Sequence, residues 1–148
     1  MKSKYKVSLQ YTGKKTKKII KEAIELYNNN ASFEDNGWKG PFEGSFKSAY
    51  IKNNIVVKFG PSDQLYSEFH RWQKFRGSNI RKHLSRVYGC NDDMLIQKKV
   101  NAPNGKCYCD EAKSLSAKVN LKIDWASNHA HEDHGVVFFD TDDGWNDN

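Results

Sequence analysis

The stretch SAYIKNNIVVKFGPSDQLYSEFHRW, Ser48 to Trp72, decides what kind of fold the chain can adopt. Its middle, Ile55 to Phe59, is dense in β-branched residues and reads as a strand, because a branched Cβ packs well on a pleated surface. Just before it, Lys52 to Asn54 has turn chemistry, since Asn tolerates a positive φ. Phe46 to Ile51 and Ile55 to Phe59 therefore read as two strands joined by a turn. Downstream, Ser62 or Asp63 can cap a helix ending near Gly77. Leu65, Phe69, Trp72 and Phe75 or Gln73 trace its apolar face. Lys58 lies between Val57 and Phe59, and a charge in an apolar strand calls for a partner. Glu68 stands ten residues on, in the helix. The bland alternative is a surface lysine on a half-exposed strand and an unrelated glutamate.

Working outward, Lys6 to Tyr11 alternates apolar and polar residues as a short strand does. Ile19, Ile20, Ala23, Ile24 and Tyr27 recur on one helical face. The run Asn28 to Asn30 is a helix stop. Gly37, Gly40, Pro41 and Gly44 punctuate a loop. On the other side, Arg86 to Tyr88 and Met94 to Val100 read as strands around the turn at Asn91 to Asp93. CDEAKSLSAKV, from Cys109, reads as a short helix, and a hairpin follows near the carboxyl end. Strands and helices in this order give an α+β fold rather than βαβ alternation.

With 148 residues the chain is expected to form one domain, whose basic segment 1–36 precedes a domain over 37–148. The net charge of +6 is unevenly spread: lysines crowd the start, and no Lys or Arg follows Lys122. Lys14, Lys15, Lys17 and Lys18 could meet nucleic acid. A solvated helix face is the plainer reading, because arginine clusters and stacking aromatics are missing there. Three cysteines without a secretory signal imply a reducing cytoplasm. No apolar run approaches ~18 residues, so no membrane span is expected.

Near the carboxyl end, ASNHAHEDHGVVFFD, Ala126 to Asp140, has two readings. His129, His131, Asp133 and His134 spell H-x-H-x-D-H, which resembles the zinc signature of the metallo-β-lactamase family. Zinc hydrolases need further ligands from later strands, and no histidine follows His134. Zinc at His129, His131 and His134 is therefore not expected to be functional. In the second reading the histidines lie in a hairpin between Asn128 and Asp140.

That second reading makes the chain intelligible from about Gly40 to Asp140. In order come Gly40 and Gly44, the strand lysine Lys58, the helix Glu68, two strands, Asp124 and Asn128, a hairpin, and Asp140. This series resembles the protein-kinase-like fold, particularly the small kinase-like proteins carried by bacteriophages. The resemblance implies an antiparallel N-lobe sheet with one long helix and a much reduced C-lobe ending in a β-hairpin. It implies that Gly40 and Gly44 cover phosphates, that Lys58 reaches the α- and β-phosphates, and that Glu68 pairs with it. The backbone of Gln97, Lys98 and Lys99 would face the adenine of ATP. Asp124 would orient the accepting hydroxyl, and Asn128 and Asp140 would hold Mg2+.

The chain departs from the pattern in places. D-x-x-x-N is one residue shorter than the usual spacing, and the glycine of D-F-G is absent, Thr141 and Asp142 following Asp140 instead. Few residues follow Asp140 to form a substrate platform. The expectation is an ATP/Mg-dependent phosphotransferase, phage-encoded and acting on a host protein in the bacterial cytoplasm. The alternatives are an inactive kinase-like protein that binds and modulates a host protein, or a basic nucleic-acid-binding protein.

Overall fold

The computed structural model describes residues 5–7, 12–44, 47–75, 77, 84–99, 129–132 and 135–138. The chain divides into two compact units, one of Met1–Phe69 with Arg86–Lys99, the other of His70–Ser85 with Val100–Asn148. The sequence stretches 1–36 and 37–148 are not separate bodies in the first unit, since the first helix packs on the sheet there.

In chain order the elements are β1 (Lys6–Val7), α1 (Lys14–Asn28), a short 3-10 turn (Glu34–Asn36), β2 (Lys39–Glu43), β3 (Ser48–Lys52), β4 (Ile55–Phe59), α2 (Ser62–Lys74), β5 (Val87–Cys90), β6 (Met94–Lys98), β7 (His129–Glu132) and β8 (Gly135–Phe138). The fold is α+β. Its main sheet runs β1-β5-β6-β4-β3-β2, antiparallel throughout, with β1 a two-residue edge piece. In the second unit, β7 and β8 pair as an antiparallel hairpin, His129 opposite Phe138 and Glu132 opposite Gly135.

Period-2 alternation sorts the sheet into two faces. Tyr50, Val57 and Ile96 lie in register across three strands, as do Ser48, Phe59 and Met94. This face packs against α1 through Ile19, Ile20, Ala23, Leu26 and Tyr27, which form one core with Ile55, Val57, Tyr88, Met94 and Ile96. α1 ends where the asparagine run begins: Asn30 adopts φ 53°, and the N–H of Ala31 donates to Leu26 O at 2.9 Å. Glu22 joins the helix to the sheet by accepting from Trp38 Nε1 at 2.9 Å and from Lys52 Nζ at 2.7 Å.

The hairpin β3–β4 turns at Asn53, whose φ of 53° is the positive value that Asn tolerates. The hairpin β5–β6 turns on buried Asn91. Its Oδ1 accepts from the N–H groups of Asp93 at 2.9 Å and Met94 at 2.8 Å. This is an Asx turn built by one side chain.

Several boundaries differ from the sequence expectation. Lys39–Glu43 is a strand where glycine and proline spacing reads as loop. It is the outer edge of the sheet, where a proline without an N–H is tolerated. The first hairpin strand is Ser48–Lys52 rather than Phe46 to Ile51, and the strand expected at Arg86 to Tyr88 is Val87–Cys90. β6 ends at Lys98, not Val100. The strand expected over Lys6 to Tyr11 is described only for Lys6–Val7, and the helix expected from Cys109 lies outside the described residues.

Candidate functional site

The second sheet face carries Ala49, Lys58 and Leu95 in one register row and Ile51, Val56 and Gln97 in the next. All but Lys58 and Gln97 are apolar. α2 supplies the counter-charge. Its cap-side turns bury Leu65 and Glu68, three residues apart and so on one side of the helix. Glu68 is the more unusual of the two, because a carboxylate at 3% side-chain exposure must be paired to remain charged.

Its pairing is complete at both oxygens. Lys58 Nζ donates to Glu68 Oε1 at 2.9 Å, and Lys47 Nζ donates to Oε2 at 3.2 Å. Both lysine side chains are close to buried, at 10% and 11% exposure. α2 is also tied to the β5–β6 turn, where Tyr66 Oη donates to Asp92 Oδ1 at 3.0 Å. The carboxylate is thus held by two charge-assisted hydrogen bonds, and its helix by a third at Asp92.

Gly44 lies just after β2, and its N–H donates to the carbonyl of Lys47 at 2.8 Å, closing the β2–β3 connection. Gly40 lies within β2 at a register irregularity between Lys39 and Phe42. Its φ is 132°, and a Cβ there would stand 2.6 Å from the carbonyl oxygen of Ala49. Gly40 therefore serves a close backbone approach between two strands.

Gln97 is buried in β6, Lys98 ends that strand, and Lys99 follows it. The N–H of Lys98 donates to Arg86 O at 2.8 Å and that of Lys99 to Asn54 O at 2.7 Å. These two donors are engaged inside the sheet, so neither is open to a base. Asp124, Asn128 and Asp140 lie outside the described residues. His129 and His131 belong to β7, so the hairpin expected between Asn128 and Asp140 is present, while His134 lies outside the described residues. Among the described residues no three His, Cys, Asp or Glu side chains gather as a metal site would need.

The structure thus brings Lys58 and Glu68 together as the sequence suggested, and adds Lys47, which sequence reasoning passed over. The available signal was alternation: Lys47, Ala49 and Ile51 are spaced two apart, which puts a lysine on the same face as Lys58. Lys14, Lys15 and Lys18 are exposed on α1, with Lys17 half-buried beside them. No helix among the described residues is long and apolar enough to cross a membrane. No family model matches the chain, and no curated protein or solved structure matches it either.

Proposed function

We propose that the first unit is the nucleotide-binding lobe of a protein-kinase-like fold, and that the chain is an ATP/Mg-dependent phosphotransferase acting on a protein. The observation that carries this reading is the buried Lys58–Glu68 pair, a strand lysine joined at 2.9 Å to a glutamate of the following helix. A surface lysine near an unrelated glutamate would not be desolvated on both sides, so the plain alternative loses its support. The strand order β2-β3-β4-β6-β5 around that lysine, with α2 inserted between β4 and β5, also favours it.

The chemistry of the face suits a nucleotide. Half-buried Ala49 and Val56 offer an apolar surface for a base, and Lys58 an ammonium for phosphate. Phosphoryl transfer asks a protein mainly for positioning and charge stabilisation, and a lysine fixed by a carboxylate provides both. Because the N–H groups of Lys98 and Lys99 are paired, backbone donors to an adenine would come from residues beyond Lys99. Asn128 and Asp140 have the oxygen ligands that Mg2+ prefers, and Asp124 is of the type that orients an accepting hydroxyl. A phage origin, a host protein as substrate and a bacterial cytoplasm belong to the same proposal and rest on the resemblance of sequence.

Calorimetric titration with ATP and Mg2+ tests this, with Lys58→Met and Asp140→Asn beside the unsubstituted protein. Micromolar to low-millimolar binding that either substitution weakens about ten-fold or more is the expected result. An unsubstituted protein that takes up no ATP would sink the reading. Transfer of the γ-phosphate to a protein, lost in Asp124→Ala, would then separate an enzyme from an inactive relative of the fold.

A further inference from the structure

The feature left unexplained by the nucleotide reading is the second lysine. One lysine on one glutamate suffices to fix a phosphate-reaching ammonium. Here two nearly buried lysines, Lys58 of β4 and Lys47 just ahead of β3, converge on opposite oxygens of the same carboxylate, at 2.9 and 3.2 Å. Two ammonium groups brought to one carboxylate repel each other, which weighs against their convergence unless the arrangement serves a use.

We infer that Lys47 is a second phosphate-binding residue, sharing with Lys58 the recognition of a polyphosphate; this rests on the nucleotide reading above. Three observations support it. Lys47 closes the β2–β3 connection through its carbonyl, which accepts from the Gly44 N–H at 2.8 Å, so its backbone is anchored beside the turn that would lie over phosphates. Its side chain reaches the Lys58 side of the sheet, since its Nζ donates to the same Glu68 carboxylate as that of Lys58. Its ammonium is already collected at Glu68, one carboxylate's breadth from that of Lys58. A diphosphate or triphosphate spreads its charge over several oxygens, and two cations a short distance apart match that spread better than one. The ligand class is therefore a nucleoside di- or triphosphate, with the nucleoside alone discriminated against. Glu68 acts as a positioning residue for both ammonium groups.

A purely structural Lys47 would act only through Glu68 and Lys58, and a double-substitution cycle separates the two roles. ATP, ADP and adenosine are titrated into the unsubstituted protein, Lys47→Met, Lys58→Met and the double variant. The expected result is a loss of about ten-fold in ATP and ADP affinity for Lys47→Met, with adenosine binding unchanged and so reporting an intact fold. Within Lys58→Met, adding Lys47→Met weakens ATP binding by a further factor of about five or more.

Should Lys47→Met fail to fold, lysine-labelled unsubstituted protein supplies the answer by NMR. The Lys47 ammonium resonance then moves with ADP and not with adenosine. ATP binding by Lys47→Met equal to that of the unsubstituted protein, no further loss in the double variant, or a Lys47 resonance that ignores ADP would each overturn the inference while leaving the nucleotide reading in place. Failure of the unsubstituted protein to bind ATP overturns both.

Discussion

Glu68 and Glu22 both accept from lysines, and their surroundings set what each contributes. Glu68 is enclosed, and removing its charge leaves two desolvated ammonium groups without the carboxylate they share. Glu22 keeps 35% side-chain exposure, so solvent screens its contact with Lys52. Burial pushes the Glu22 carboxyl up, but the hydrogen bonds from Lys52 and Trp38 outweigh it and hold the group below the usual carboxylate range. A carboxyl with a depressed folded pKa binds protons more readily unfolded than folded. Its stabilisation is therefore present above the unfolded value and is lost as pH falls through the folded one. Glu22→Gln should be less stable than the unsubstituted protein at neutral pH, by well under about 1 kcal/mol for the charge contribution. The gap should close on acidification through the carboxylate range. Urea denaturation at a series of pH values checks this, and a gap that widens towards acid would contradict the assigned shift.

At the scale of elements, β2 depends on one residue that has no side chain. Gly40→Ala would put a Cβ against the carbonyl of Ala49 in β3 and force an alanine into a backbone conformation reserved for glycine. The expected loss is about 1–3 kcal/mol, read as a lower melting temperature. Unchanged stability would mean that the β2–β3 pairing is looser than described. The same strand explains part of what the sequence concealed. Gly40 and Pro41 break the period-2 pattern of Lys39–Glu43, and an exposed edge strand needs no apolar face, so neither usual signal was present. Ile55–Phe59 was legible because it sits in the middle of the sheet and both faces select β-branched residues. Val87–Cys90 was displaced in the reading because Gly89 and Cys90 have little strand preference and are held there by pairing to β6. At the site, a charge in an apolar strand made Lys58 conspicuous, and the resemblance to the kinase-like fold pointed to Glu68 as its partner. For Lys47 the two-residue spacing from Ala49 and Ile51 was the only signal, and its convergence on Glu68 depends on tertiary pairing.

For the molecule as a whole, the lysine-rich helix α1 is part of the core of the first unit. Its charged residues lie on the outside of α1, while Ile20 and Ala23 are fully buried against the sheet. A chain limited to residues 37–148 would uncover Ile55, Val57, Met94 and Ile96 on one side of that sheet. It should bind a hydrophobic dye and lose its sharp thermal transition. A cooperative melt like that of the full chain would show instead that α1 is dispensable. The strand order has a further consequence for how the protein is made. β6 is the last strand of the main sheet to be synthesised, yet it lies between β5 and β4. As the chain leaves the ribosome, Ile55–Phe59 waits with a bare, apolar strand edge until Met94–Lys98 has emerged and closed the gap. During that interval the segment IVVKF is open to pairing with the same segment of a neighbouring nascent chain. Slow translation between Phe59 and Lys98 should therefore lower the yield of native protein more than slow translation after it.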